Sequence, residues 1–202
     1  MTRSGVRIRP AVPSDVAALV RLVRSVDTAS GRFSGRALLD PSEEHIADRL
    51  AEILAEADRS LLVADDDHAG ELVGLLVARP DEIGAIDLTP VLHVTHLLVA
   101  PAQRRRGIGR ALLAGAVHLA EERGIDRVLT TAASGSREAN RYLARLGFAP
   151  LVVHRIASTT NLCRALGLSD APERMAVMRR ARARRLNGGA STPAPSSWRI
   201  AR

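Results

Sequence analysis

His93-Val94-Thr95-His96-Leu97-Leu98-Val99-Ala100-Pro101-Ala102-Gln103-Arg104-Arg105-Arg106-Gly107-Ile108-Gly109-Arg110-Ala111-Leu112-Leu113 joins three signals in one run. Residues 91–99 are rich in β-branched and aliphatic types and predict a buried strand. Pro101 cannot extend a ladder, so the strand stops near Ala100. From Gly107 the spacing turns helical, with Ile108, Leu112, Leu113, Val117 and Leu119 on one broad face. The glycines of the connecting turn let backbone approach a ligand closely. The first turn of the helix leaves N–H groups without intrahelical partners, and its dipole favours an anion. Arg104, Arg105 and Arg106 crowd the same turn. The pattern predicts a phosphate or pyrophosphate held by backbone amides at a helix start.

Two familiar phosphate sites are excluded by residue. A P-loop needs Gly-Lys-[Ser/Thr], and the chain has no lysine. A dinucleotide fingerprint needs a third glycine after Gly107-x-Gly109, where Leu112 stands. The stretch instead resembles motif A of the GNAT superfamily of acyl-CoA-dependent N-acetyltransferases. That motif reads Leu-x-Val, a short proline-containing turn, then [Gln/Arg]-x-x-Gly-x-[Gly/Ala]. Here the elements are Leu97-Leu98-Val99, Pro101, and Arg104-Arg105-Arg106-Gly107-Ile108-Gly109. The resemblance implies acetyl-CoA as acyl donor. Its pantetheine amides lie along Leu97, Leu98 and Val99, and its pyrophosphate lies on Arg104, Arg105, Arg106, Gly107, Ile108, Gly109 and Arg110.

The chain has 202 residues, enough for one domain with a real core and a tail. No apolar run is long enough to span a bilayer. The start, Met-Thr-Arg-Ser-Gly-Val-Arg, lacks an apolar signal core. The single cysteine, Cys163, excludes an internal disulfide. Together these point to a cytoplasmic chain. The net charge of +7 is concentrated at one end. Residues 157–202 carry nine arginines against Asp170 and Glu173, which leaves residues 1–156 neutral overall.

Val6–Arg9 alternates as a first strand, and Pro10 and Pro13 close it. Ser14 or Asp15 can cap a helix carrying Val16, Leu19, Val20 and Val23 on its apolar face. This opening is similar to the usual start of a GNAT domain. A second helix is expected from Ser42 or Glu43 to Ala57. In the family, the glycine-punctuated segment between these helices borders the acceptor pocket. Residues 60–64 and 72–78 read as a hairpin around Asp65-Asp66-Asp67. No second ligand cluster accompanies these aspartates, so they read as a solvated turn and no metal is expected. Residues 80–90 read as a connection bounded by two prolines.

Beyond the phosphate-binding helix, residues 127–131 read as a fifth strand and 136–146 as a short helix. Tyr142…Leu146-Gly147-Phe148 resembles the family's next block, Tyr-x-x-x-Gly-Phe, and residues 151–156 are expected to close the sheet. The resemblance thus covers roughly residues 5–156. It implies an α/β (α+β) GNAT fold: a mixed, mostly antiparallel sheet of six to seven strands with helices on both faces. Residues 157–186 read as a helical basic extension, and 187–202 as a disordered tail of linker composition. The extension's apolar residues suit packing on its own domain or in a homodimer. A nucleic-acid arm is the weaker alternative, because the tail offers only charge and a single aromatic, Trp198.

Acetyl transfer needs a neutral amine. With a pKa of about 10.4, only about one alkyl amine in 10³ is neutral at pH 7, a deficit of about 4–5 kcal/mol. Many GNAT members place a Glu or His six residues before the motif's Val, and His93 holds that position relative to Val99. Thr95 shares its face by the period of two and suits a bridging water, whereas His96 faces away in a regular strand. The family's tyrosine acid lies four residues before the Gly of Gly-Phe, where this chain has Leu143. The usual acid is thus missing or displaced, and Tyr142, one residue earlier, is the candidate in its place; the family's asparagine that touches pantetheine aligns with Ser136, and Asn140 lies one turn later. The expected activity is acetyl transfer to a primary amine, on a small molecule or a protein, by direct attack on the thioester. The Leu143 departure keeps an alternative open, a catalytically silent CoA-binding GNAT domain serving as sensor or interaction module.

Overall fold

A computed structural model describes residues 5–30, 42–66, 70–84, 86, 88–132, 136–153 and 155–167. Strand alternation explains why the sheet is covered on both sides. In β2 (Ser60–Asp66), Leu61 and Val63 join one core cluster, and Leu62 and Ala64 join another. In β3 (Glu71–Glu82), Leu75 and Val77 belong to the first, Leu76 and Ala78 to the second. A strand apolar at every position must be buried on both faces. The first face packs against α1 (Val16–Ser30) and α2 (Glu43–Ala55) through Leu19, Leu22, Val23, Ile46, Leu50 and Ile53. The second packs against α3 (Ile108–Glu122) through Ile108, Leu112, Leu113, Ala116 and Ala120.

With β1 (Val6–Pro10), β4 (Pro90–Val99) and β5 (Val128–Thr130), the five strands lie in the order β1-β2-β3-β4-β5. All neighbours pair antiparallel except β4 and β5, which are parallel and joined through α3. The expected class, a mixed and mostly antiparallel sheet with helices on both faces, is the one observed. The expected strand count is not. Residues 151–153 and 155–156, read as a closing strand, form none. Apolar β-branched composition measures fit to a pleated, half-buried surface and does not supply a ladder partner.

Pro80 also misleads. It reads as a break, yet β3 runs through it to Glu82, with Pro80 opposite Leu92. The β2 ladder ends at Ser60 opposite Ala78, so β3 beyond that point is paired on one side only. A proline's missing N–H is tolerated there.

Residues 1–148 and 149–202 form two compact units. In the first, α2 is capped by Ser42, whose hydroxyl accepts from the His45 amide at 3.2 Å, and α4 (Arg137–Arg145) by Ser136 accepting from Ala139 at 3.3 Å. The acidic turn is less solvated than its composition suggests. Asp65 accepts from Arg9 Nε at 2.9 Å, and Asp66 is only 8% exposed. In the second unit, α5 (Thr159–Ala165) begins at Ser158, which accepts from Asn161 at 3.2 Å. The rest of the expected extension, 168–186, the tail 187–202 and the segment 31–41 lie outside the described residues.

Candidate active site

The pairing of β3 with β4 slips by one residue between Val77 and Ala78. Val77 lies opposite His96 and Ala78 opposite Val94, so Thr95 is the extra residue of a bulge in β4. This overturns the expectation that His96 faces away from His93. Residues opposite each other in a ladder share a face, and His93 lies opposite Arg79 while His96 lies opposite Val77. Val77 belongs to the cluster under α1 and α2, whereas Val94 packs towards α3. Both histidines therefore stand on the α1/α2 side of β4. Thr95 holds the bulge together: its hydroxyl donates to the Val77 carbonyl at 3.3 Å and also lies 3.2 Å from His96 Nδ1. The Thr95 hydroxyl, expected to hold a water, thus makes a bond within the sheet.

His93 is half-buried and flanked on both ring nitrogens. Nδ1 lies 3.2 Å from Asp81 Oδ2, and Nε2 lies 3.4 Å from Thr131 Oγ1. Asp81 also accepts from Arg79 Nη2 at 2.8 Å and from the Glu82 amide at 3.0 Å. Burial pushes the Asp81 carboxyl up, but the His93 ring, the Glu82 amide and the Arg79 guanidinium together outweigh it and hold the group below its ordinary value. None of Asp81, Arg79 and Thr131 is legible as a partner in the sequence. Pro80 disguises the strand that carries the first two. The signal that finds them is the one-sided continuation of β3 alongside His93.

Parallel pairing of β4 with β5 covers only Leu92, His93 and Val94. Leu97, Leu98 and Val99 pair with Leu76, Leu75 and Gly74 of β3. On their other side β5 has already ended, so among the described residues the β4 edge has no ladder partner beyond the fork. Leu97 and Val99 pack towards α3, and Leu98 towards α1 and α2. The turn that follows has the backbone anticipated for an anion cradle. Arg105 and Gly107 take left-handed φ values of 63° and 84°, and Gly107 is the N-cap of α3. The first amide of the helix to bond back is that of Ala111, to Gly107 O at 3.0 Å. The amides of Ile108, Gly109 and Arg110 therefore have no intrahelical acceptor. Arg106 donates to the Gln103 side chain, and Arg105 lies 3.7 Å from Glu138 with both groups exposed.

Tyr142 closes this turn from α4. It packs against the α3-side core, and its hydroxyl is buried without a hydrogen-bond partner among the described residues. Burial pushes its phenol up, against the opposing charge of Arg110. A Cβ on Gly109 would lie 3.4 Å from the Tyr142 hydroxyl and 3.8 Å from Val99 Cγ2. The tyrosine thus backs the start of α3 where β4 ends. Ser136 caps α4, and Asn140 Nδ2 donates to Ser136 O at 2.8 Å. The fold brings together, around the β4–β5 fork, a histidine–carboxylate pair and an amide-lined helix start bearing arginines. That combination suits binding a phosphorylated donor and removing a proton from an acceptor.

Residues 29–148 match the acetyltransferase (GNAT) family. The chain belongs to that family. It is accordingly an acyltransferase, and the family's donor is acetyl-CoA. No curated protein matches the chain in sequence. Solved structures share the GNAT fold at low identity. A transcriptional regulator from Bacillus halodurans C-125 is 22% identical, covering 76% of this chain and 99% of its own, with a TM-score of 0.62. An aminoglycoside acetyltransferase from an uncultured soil metagenomic sample, solved with sisomicin, is 19% identical over 76% of this chain and 95% of its own, with a TM-score of 0.58. Glucosamine-6-phosphate N-acetyltransferase from Arabidopsis thaliana is 13% identical over 76% and 98%, with a TM-score of 0.58. These likenesses establish the fold of this GNAT domain. No helix among the described residues is long and apolar enough to cross a membrane.

Proposed function

We propose that the chain transfers an acetyl group from acetyl-CoA to a primary amine by direct attack on the thioester, with His93 as general base. The observation that carries this reading is the placement of His93 beside the fork where β5 leaves β4, with Asp81 on one ring nitrogen at 3.2 Å. The amides of Ile108, Gly109 and Arg110, with Arg104 and Arg110 beside them, suit the donor's pyrophosphate. The open edge at Leu97–Val99 suits its pantetheine amides, as strand edges bind extended peptides. Acetyl-CoA supplies an acyl group activated as a thioester. His93 Nε2 takes the proton that the attacking amine must lose, which offsets part of the 4–5 kcal/mol of about pH 7 deprotonation. The buried Tyr142 hydroxyl is the donor nearest the start of α3 for the departing thiolate, in place of the residue at Leu143. Small amine-bearing acceptors suit the reading best, since two proteins of the same fold are named for acetylating an aminoglycoside and glucosamine 6-phosphate.

The test is thiol release from acetyl-CoA against a panel of aminoglycosides, amino sugars, polyamines and amino acids, with mass spectrometry of the acetylated product. His93→Ala should lower kcat by about 10²–10⁴-fold and remove the acid limb of the pH profile while changing acceptor KM less. Full kcat across pH 6–9 in that variant refutes the assignment of the base. Tight acetyl-CoA binding with no thiol release on any acceptor class favours the silent sensor domain instead.

A further inference from the structure

We infer that Asp81 is a positioning residue that fixes the tautomer of His93, keeping the proton on Nδ1 and leaving the Nε2 lone pair free to act as base. The inference rests on the reading of His93 as the base. An ionised carboxylate only accepts hydrogen bonds, so the 3.2 Å contact between Asp81 Oδ2 and His93 Nδ1 requires the proton on Nδ1. Two donors keep Asp81 in its ionised, accepting form. Arg79 Nη2 reaches the same Oδ2 at 2.8 Å, and the Glu82 amide reaches Oδ1 at 3.0 Å. The carboxylate is thus held on both oxygens by donors that fix its plane, and the ring that donates to it inherits the orientation.

A neutral imidazole with its proton on Nδ1 is bare at Nε2. That nitrogen points to the fork side of β4, 3.4 Å from Thr131 Oγ1, just beyond the last residue of β5. Thr131 therefore donates to Nε2 in the resting protein and yields to an incoming amine. Among the described residues, the groups facing the ring are Asp81 and Arg79 from β3 and Thr131 after β5. His96, which shares the face on β4, is turned to Thr95 Oγ1 at 3.2 Å. Among these partners only Asp81 carries a charge that distinguishes the two tautomers through direct contact. The arrangement matches in role, on an unrelated sheet, the carboxylate that holds a catalytic imidazole in hydrolytic triads.

The experiment uses the full-length protein. Long-range ¹H–¹⁵N spectra of the histidine rings, recorded above the titration of the imidazoles, report which nitrogen is protonated. The His93 signals are identified by their loss in His93→Gln. The expected wild-type pattern is a protonated Nδ1 and a bare Nε2, and in Asp81→Asn the population moves towards the other tautomer. In parallel, kcat is measured with acetyl-CoA and the most reactive amine of the acceptor panel. Asp81→Asn should lose about 10–100-fold in kcat with acetyl-CoA KM little changed, and the Asp81→Asn/His93→Gln double variant should be no slower than His93→Gln alone. A wild-type ring protonated on Nε2 overturns the inference, and this spectrum decides even if Asp81→Asn does not fold. A loss of kcat in His93→Gln with none in folded Asp81→Asn overturns the positioning role alone. Full kcat in His93→Gln overturns the base reading on which it rests.

Discussion

Gly74 couples the start of α3 to the sheet, and replacing it with alanine tests that coupling. A Cβ on Gly74 would lie 3.0 Å from Leu112 Cδ1, 3.1 Å from Ile108 Cγ2 and 3.1 Å from the Leu98 carbonyl oxygen. The first two contacts are core side chains at 0% and 3% exposure, and the third is backbone of β4. None of them can retreat without moving α3 or β4. Overpacking of this kind costs about 1–3 kcal/mol. The lost freedom of the unfolded chain returns about 0.4–1 kcal/mol. At the middle of both ranges the net loss is about 1.3 kcal/mol, or about 3–5 °C in Tm for a domain of this size. Because Ile108 opens the helix whose amides form the proposed cradle, acetyl-CoA affinity should fall with Tm. Gly84, which would meet nothing within 4 Å and has no positive φ, is the control. Calorimetric Tm and acetyl-CoA titration of both alanine variants provide the assay. A Gly74→Ala protein as stable as wild type, with unchanged donor affinity, refutes the argument that α3 is seated through this glycine.

The Arg9–Asp15 pair should shape acid stability. Arg9 holds the Asp15 carboxyl below its ordinary value against burial, with the Val12 amide assisting at 2.8 Å. The stabilisation is therefore present above the unfolded aspartate range and lost as pH falls through the depressed folded value, so Asp15→Asn should flatten the acid side of a Tm-against-pH curve. An unchanged acid slope counts against the pair. Thr95→Val removes the bond that ties the bulge and the hydroxyl's contact with His96, so it should cost about 0.5–1.5 kcal/mol and leave kcat within a few-fold; a large kcat loss with unchanged Tm supports the water-holding role. Tyr142→Phe deletes a buried hydroxyl that has no partner among the described residues, so Tm should hold or rise. A lowered kcat in the same variant is the expected sign of a contact with the departing thiolate, and wild-type kcat argues against it.

The sheet core was legible because its periodicities are strong. The unbroken apolar runs Leu61–Ala64 and Leu75–Ala78 require two covered faces, and the Gly107–Leu113 spacing marks a helix start. The left-handed φ of Gly107 is what its identity forecast. What escaped the sequence was set by pairing rather than composition. The bulge at Thr95 shifts His96 onto the face of His93, and no local residue type announces that extra residue. Asp81 was hidden because a proline is a break in a two-sided strand and tolerated in a one-sided one. The closing strand expected at residues 151–156 is missing from the described 151–153 and 155–156 for the converse reason, since the pattern of a strand is present there but no ladder partner is found among the described residues. The helix start could be read from side chains within one turn, whereas the histidine's partners depended on register across two strands.

Every role proposed for the site depends on donor binding at the start of α3, and calorimetry with acetyl-CoA tests this most directly. Gly109 lies within the first turn, where a Cβ would lie 3.4 Å from the Tyr142 hydroxyl and 3.8 Å from Val99 Cγ2, so an indole there cannot fit without displacing the neighbours of the proposed cradle. The account predicts saturable binding to the wild-type protein and none to a Gly109→Trp variant that retains its cooperative unfolding. Wild-type affinity in that folded variant contradicts it.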